Sequence, residues 1–413
     1  MMHPPALARR ILMLVENLPS PFDRRVWQEA TTLQENGYQV SIICPTGKGH
    51  EARHEILDGI HIYRYRLHLE ASGPLGYLLE YAQALFCTAV LTWRVWFTRG
   101  FDVIHACNPP DLLFLIGGFF KLTMGTKFVF DHHDINPELY EAKFARKDVF
   151  YRWLLRCERW TFRTADLSIA TNDSYRRIAV ERGGMTPAAV YVVRSGPRLD
   201  RMRRMAPSAP LRCGRRFLVG YVGVMGDQEG IDLLLLAVQH IVLKLHRTDI
   251  QFGLVGGGTA LTAMQALAQD LGIAAYVTFT GRVPDAEMLA MLNTADVCVN
   301  PDVANAMNDM STMNKIMEYM ALAKPIVQFD LIEGRVSAQD ASLYALRNDP
   351  VDFACRIIAL LDDPRRRRRM GQAGRRRVER ELEWKYEAPK LLRAYADLFD
   401  AVPAVGAVRQ REV

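Results

Sequence analysis

Short apolar runs of strand length alternate with helix-length segments along this chain, and they do so in two successive series. That alternation marks parallel sheets whose strands are joined by crossover helices covering both faces. The first series places strands at 10–15, 39–43, 103–105, 127–131, 167–170 and 190–193, with helices at 24–36, 74–98 and 148–163 among them. Gly37 stands where a left-handed residue closes the first of those helices. The second series places strands at 217–222, 250–255, 277–280, 297–300, 325–329 and 343–344. Between the two, 195–215 is rich in Pro, Gly and Arg without an apolar period, and reads as a linker. The expected fold is α/β: two doubly wound, Rossmann-like domains facing across a cleft. Ligands of such sheets bind beyond the carboxyl ends of the strands, so the cleft is the expected site.

With 413 residues, 49% hydrophobic and 24% charged, each half can bury its own core. These proportions exclude disorder, collagen and small disulfide scaffolds. Seven scattered cysteines without a Cys-x-x-Cys pair argue against a zinc site and for a reducing, cytoplasmic compartment. The net charge of +6 suits anionic small molecules or an anionic membrane surface. No basic stripe interleaved with aromatics is present, so nucleic acid is not an expected partner. Residues 1–10 hold no signal-peptide core. The uncharged run 250–269 contains three Gln and a Gly triplet, and the more apolar 81–93 is too short to span a bilayer.

Four segments carry chemistry. In FLVGYVGVMGDQEGIDLLLLAV a strand passes through Gly220 and Gly223 into a glycine-punctuated turn before a helix. In FGLVGGGTALTAM the triplet 256–258 does the same. Such loops let backbone amides approach phosphate at a helix N-terminus, and a tight turn explains each equally well. Neither is the dinucleotide fingerprint, and none follows the first strand, so a nicotinamide oxidoreductase is poorly supported. In NDMSTMNKIMEYMALAKPIV, Asp309, Ser311 and Thr312 are good caps for a helix carrying Lys315 and Glu318 on one face. A surface ion pair and a phosphate-receiving helix N-terminus both fit that spacing. In KFVFDHHDINPEL a buried strand runs into Asp131, His132, His133 and Asp134. Histidines there suit proton transfer near neutral pH, or a structural role for one of the two. Adjacent histidines on a strand end point in opposite directions, and no Asp-x-Asp triplet occurs, so no metal is expected.

Taken in order, these segments resemble family 4 of the GT-B glycosyltransferases, also called glycosyl transferases group 1. The resemblance covers roughly residues 10–390. It rests on DRRVWQEATTLQENGYQVSIIC, FDVIHACNPPD, VFDHHD, TADLSIATNDS with VVRSG, GYVGVMG, LVGGG, VTFTGRVP and MEYMALAKPIV. It implies an acceptor-binding domain over 1–200, a nucleotide-sugar domain over 201–385, and a closing helix and tail over 386–413 that cross back to the first domain. By resemblance, His133, oriented by Asp134, lies near the transferred sugar and the Gly223 loop near the donor diphosphate. Gly256 and Gly257 then lie in the nucleotide half of the cleft, Arg282 meets the base, and Glu318 holds the ribose hydroxyls. Three departures stand out. The first Glu of the family's Glu-x7-Glu motif falls at Met310, beside Asp309. The two cations that grip the diphosphate fall at Val224 and Glu229. Lys315 is their candidate replacement, six residues after Asp309, as in a mannosyltransferase-like branch.

The resemblance implies a retaining, metal-independent hexosyltransferase that needs no cofactor. Its donor would be a UDP- or GDP-linked sugar and its acceptor a saccharide, lipid-linked, in polysaccharide or glycolipid synthesis. Amides near Gly223, the helix start at Ser311, Thr312 and Asn314, and Lys315 would receive the leaving diphosphate. On that account Lys315→Ala is expected to reduce turnover far more than stability. The aromatic helix 77–97 could lie at the inner-leaflet surface, making the protein peripheral on the cytoplasmic face, or simply pack on the first sheet. The arginine runs 365–369 and 375–377 read as a solvated helix face. Two rival classes share the fold: a sugar-nucleotide epimerase and a catalytically inactive nucleotide-binding subunit.

Overall fold

A computed structural model describes residues 8–67 and 73–400, and it contains two sheets. The expectations placed on 1–7 and on the tail 401–413 lie outside the described residues. The first sheet comprises β1 (Arg10–Leu14), β2 (Gln39–Pro45), β3 (His54–Leu57), β4 (Ile60–Tyr65), β5 (Val103–Cys107), β6 (Lys127–His132), β7 (Leu167–Ala170) and β8 (Val190–Val192). Their spatial order is β3-β4-β2-β1-β5-β6-β7-β8, and only β3 is antiparallel to its neighbour. The second sheet comprises β9 (Phe217–Val222), β10 (Ile250–Val255), β11 (Val277–Gly281), β12 (Val297–Asn300), β13 (Ile326–Phe329) and β14 (Ser342–Ala345). It is wholly parallel, in the order β11-β10-β9-β12-β13-β14. Strands β5 and β10 are buried along their whole length, as expected for sheets covered on both faces.

The strand order reverses between β1 and β5 in one sheet and between β9 and β12 in the other. Those two switch points open the crevices in which doubly wound sheets bind ligands. One element escaped the sequence reading. The hairpin β3–β4 turns on Asp58 and Gly59 with φ of +49° and +79°, a type I′ turn whose Asp-Gly signature was available in the sequence.

Five helices matter for the site. Helix α1 (Arg24–Glu35) is capped by Asp23, whose carboxylate accepts from Val26 N at 3.2 Å, and Gly37 follows it with φ +89°. Helices α2 (Gly73–Thr98) and α3 (Phe114–Met124) cover one face of the first sheet, and α4 (Asn314–Ala321) belongs to the second domain. Helix α5 (Trp384–Asp400) closes the chain by packing into the first domain. Trp384, Leu391, Ala394, Tyr395 and Leu398 share a core with Val26, Ile42 and Val129. Beside the linker the chain crosses itself closely: a Cβ on Gly196 would lie 2.3 Å from the Leu382 carbonyl oxygen, so only glycine fits. Trp384 Nε1 then donates to Thr32 Oγ1 at 2.9 Å, which anchors the start of α5 on α1.

Because Leu391 is wholly buried among first-domain residues, Leu391→Ala should destabilise that domain by about 2–5 kcal/mol although it lies far off in sequence. Denaturant unfolding followed separately for the two domains should show the loss in the first domain.

Candidate active site

Asp131, at the carboxyl end of β6, is the hub of the first-domain side of the cleft. Its buried carboxylate accepts from Arg25 Nη2 at 2.8 Å and from Arg25 Nε at 3.3 Å. It also accepts from His133 Nε2 in a short hydrogen bond. Glu29, one turn along α1, lies 3.0 Å from Arg25 Nη2. Burial works against the Asp131 carboxylate, yet Arg25 and His133 hold it well below the usual carboxylate range. Glu29 moves the other way, pushed well above its ordinary value chiefly by burial. The Arg25 and Glu29 pair sits at i,i+4 on the buried face of α1, and no sequence reading had singled it out. Two charged residues among the buried positions Val26, Ala30, Thr31, Thr32 and Leu33 were the available signal.

The backbone carrying His133 is held by Asn108. Its Oδ1 accepts from His133 N at 2.6 Å and Asp134 N at 3.1 Å, while its Nδ2 donates to the Asp134 carbonyl at 2.6 Å. Asp111 accepts from Asn108 and from Asn136, at 2.9 and 2.7 Å. Burial pushes the Asp111 carboxyl up to about 6. The expectation that Asp134 orients His133 is corrected: Asp131 is the ring's partner, and Asp134 contributes backbone. The two histidines do point apart. His132 is fully buried, its ring 5.2 Å from Phe162 and 4.9 Å from Tyr175. It is the structural one of the pair, and burial holds it neutral by pushing its pKa down to about 3.

Two groupings have metal-ligand spacing, His105–Cys107–Asp131 and Glu29–Asp131–His133. Both share Asp131. Arg25 already supplies a positive charge between Asp131 and Glu29, so a second cation there would meet like-charge repulsion.

Across the cleft, the two glycine loops meet. A Cβ on Gly256, whose φ is +136°, would lie 1.8 Å from the Gly223 carbonyl oxygen, and one on Gly223 would come 3.4 Å from Lys315 Cε. Gly257 lies against Arg282, its missing Cβ 3.3 Å from Arg282 Cγ. Val224 is exposed, and its carbonyl accepts from Tyr221 OH at 2.7 Å. Glu229, where the family has a cation, caps its own turn by accepting from Gly226 N at 3.0 Å.

Lys315 is not a free cation. Its Nζ donates to buried Asp302 at 2.7 Å. Burial disfavours its charge, but Asp302 and Tyr221 more than offset that and raise its pKa. Removing one partner of a buried pair costs about 3–5 kcal/mol, so Lys315→Ala should lower stability as well as turnover, contrary to the expectation from sequence. The capping expectations also fail. Helix α4 starts at Asn314, which is exposed, and its N-cap is Met313. Ser311 Oγ instead bonds Tyr175 OH at 3.0 Å, and Thr312 Oγ1 accepts from Asn172 Nδ2 at 3.0 Å, both across the domains. Asp309 is held by Ile332 N at 3.2 Å and by Arg347.

Glu318 is spoken for as well. Its Oε1 accepts from Arg24 Nη1 at 2.9 Å and lies 3.4 Å from Arg201 Nη1. Asp285 binds the same two arginines, at 2.9 and 2.8 Å. Arg24 belongs to the first domain and Arg201 to the linker, so the network ties the domains together. Arg282 adds a further bridge, its guanidinium carbon 5.3 Å from the centre of the Phe22 ring.

The model of Glycosyltransferase Family 4 matches residues 23–201, and that of Glycosyl transferases group 1 matches residues 216–363. The D-inositol 3-phosphate glycosyltransferase of Thermomonospora curvata is 30% identical over 262 residues, which span 59% of this chain and 59% of that protein. The phosphatidyl-myo-inositol mannosyltransferase of Mycobacterium leprae is 25% identical over 387 residues, 92% of this chain and 93% of that one. Among solved structures, sucrose-phosphate synthase from Thermosynechococcus elongatus superposes with a TM-score of 0.79 at 19% identity, covering 95% of this chain and 100% of the other. Anabaena HepE in complex with UDP-glucose gives 0.70 at 15% identity, covering 94% and 99%. The chain belongs to family 4 of the glycosyltransferases and has the GT-B fold.

The assignment of His132 to the core is testable through pH. Between its folded value of about 3 and the ordinary 6.5, only the unfolded chain binds the extra proton, so this histidine makes stability fall as pH falls. Between pH 7 and 5 the parent should lose about 2 kcal/mol more than His132→Leu, read from denaturant unfolding of both at the two pH values.

Proposed function

We propose that the protein transfers a hexose from a UDP- or GDP-linked sugar, held at the carboxyl ends of β9 and β10, to a saccharide acceptor carried on a lipid. The convergence of the Gly223 and Gly256 loops with Lys315 and Arg282, opposite the Asp131–His133 pair, carries this reading. The UDP-glucose complex of Anabaena HepE supports the donor class. The diphosphate meets loop amides at positions where a Cβ cannot fit, which is how glycine loops accept phosphate. Arg282 makes no ion pair among the described residues and stands against Gly257, so it is the cation best placed to take up charge at the donor. Lys315 contributes from the protein interior, already balanced by Asp302.

His133 serves the transferred sugar. Asp131 accepts from its Nε2, which fixes the ring, and its Nδ1 makes no hydrogen bond with a described residue. A proton at Nδ1 can therefore pass to or from the reacting hydroxyl. Positive charge from Lys315, Arg282 and the helix start at Asn314 replaces a metal in stabilising the leaving diphosphate, and the reaction retains anomeric configuration. Glu318 exchanges Arg24 and Arg201 for the ribose hydroxyls when the nucleotide binds, which leaves the two guanidinium groups paired with Asp285.

The acceptor side faces a membrane. One face of α2 is core, with Ala84 and Val95 buried. The opposite stripe leaves Phe86 70% and Phe97 78% exposed, and on α3 Leu122 is 88% exposed. Between β4 and α2 lies a cavity of about 280 Å³ lined by Arg53, Arg64, Arg66, Arg94, Phe86 and Val90. Apolar surface beside arginines suits an anionic bilayer and a phosphate-bearing lipid. No described helix is long and apolar enough to cross a membrane, so attachment at the cytoplasmic face would be peripheral. The phosphatidyl-myo-inositol mannosyltransferase similarity supports a glycolipid product.

Three measurements follow. Arg282→Ala should weaken UDP or GDP binding about tenfold in calorimetry and leave the melting temperature unchanged, since the side chain is exposed. Unchanged affinity would remove Arg282 from the donor site. Phe86→Ser combined with Leu122→Ser should reduce co-sedimentation with anionic phospholipid vesicles severalfold at equal stability. Transfer of labelled hexose into lipid decides the class: an epimerised nucleotide sugar formed without acceptor, or nucleotide binding without turnover, would replace the transferase reading.

A further inference from the structure

We infer that Tyr395 of the closing helix and His105 of β5 are positioning residues for His133, acting through Asp131. This rests on the role proposed above for His133.

The chain of contacts runs through the protein interior. Tyr395 and His105 are both wholly buried, and Tyr395 OH lies 2.6 Å from His105 Nδ1. Their rings are nearly parallel, 13° apart. The other ring nitrogen of His105, Nε2, makes no hydrogen bond with a described residue and faces two carboxylates, 3.4 Å from Asp131 Oδ2 and 3.5 Å from Glu29 Oε2. That same Oδ2 accepts from His133 Nε2.

Burial holds His105 neutral, and a neutral imidazole has one N–H and one lone pair. With the tyrosine hydroxyl donating to Nδ1, the His105 proton sits on Nε2, toward Asp131. In the other tautomer a lone pair would face the Asp131 carboxylate at 3.4 Å. The hydroxyl of Tyr395 therefore selects the form of His105 that can donate to Asp131. Asp131 has Arg25 on one oxygen, with His133, His105 and the more distant Arg25 Nε on the other. Loss of the His105 contact leaves Oδ2 to His133 and Nε alone and alters how the carboxylate holds the His133 ring. Cys107, with Sγ 4.0 Å from Oδ2, is too weak a donor to substitute.

The arrangement has a consequence for domain organisation. Tyr395 stands on the helix that begins where the chain leaves the second domain, so the crossing segment holds a residue of the transfer site through two intermediates.

The test compares Tyr395→Phe with Trp384→Phe. The second removes the helix's other anchor, the hydrogen bond to Thr32, without touching the chain of contacts. Tyr395→Phe should lower kcat roughly ten- to a hundredfold, the range typical of a displaced catalytic group, while donor KM stays within twofold. In spectra of ¹⁵N-histidine protein, the His105 ring should change tautomer and the His133 resonances should move. Trp384→Phe should reproduce neither effect. If both variants lower kcat equally, or if Tyr395→Phe leaves the His105 and His133 resonances in place, the inference is wrong and the helix acts by docking alone. The spectra decide the matter even if His133→Ala proves fully active, an outcome that would remove the catalytic role of His133 instead.

Discussion

The buried ion pair between Arg25 and Asp131 is the contact on which the first-domain half of the site depends. One guanidinium reaches Asp131 on β6, Glu29 on its own helix, the Val193 carbonyl at 2.8 Å and Ser195 Oγ at 3.1 Å. It thus fastens α1, the strand that leads into His133, and the start of the linker to one point. A charge taken out of water needs such compensation, because an unpartnered buried ion is expensive. Here the arginine has two acids, one held ionised and one pushed toward its neutral form, so the cluster stays close to electrically balanced. Stability alone does not require this, since apolar residues of similar volume would pack as well. Fixing Asp131, and with it the His133 ring, does.

The second domain solves a different electrostatic problem. At the two positions where the family resemblance places diphosphate-binding cations, this chain has an exposed valine and a turn-capping glutamate. Its positive charge is relocated. Lys315 is buried against Asp302, Arg282 lies across the Gly257 loop, and Arg24 and Arg201 reach in from the other domain and the linker. On the proposed reading the donor site is assembled from three parts of the chain, across both domains. Glu318 and Asp285 hold the two arginines in readiness through exposed or half-buried pairs of modest strength, which nucleotide hydroxyls and phosphates can replace.

Much of this was legible from residues alone. The alternation of strand and helix periods located twelve of the fourteen strands, because burial on both faces imposes near-continuous apolar runs. The exception was the β3–β4 hairpin at the sheet edge, whose strand β3 is half exposed and therefore weakly apolar. The Gly223 and Gly256 loops were recognisable as glycine turns after strands, and the structure brings them together, the Gly223 carbonyl coming too close to Gly256 for any Cβ there. The partners of polar side chains were not legible. Asp134 was nearer to His133 in sequence than its true partner by one residue only, and nothing local distinguishes them. Strand pleating does, since alternate residues share a face and Asp131 lies two before His133. Ser311 and Thr312 looked like caps by local spacing, yet the other domain takes their hydroxyls. Local rules cannot see contacts made across a cleft. Arg25 and Glu29 were hidden for the same reason, since their meaning lies in Asp131, about a hundred residues away.

The central claim is a division of labour: the second sheet binds the nucleotide and the first performs the transfer. Calorimetric titration of UDP and GDP into the parent and His133→Ala, alongside sugar transfer by both, tests it most directly. The account predicts equal nucleotide affinity for the two proteins, with transfer reduced by about a hundredfold or more in the variant. Nucleotide binding lost together with transfer, or transfer left intact, would contradict it.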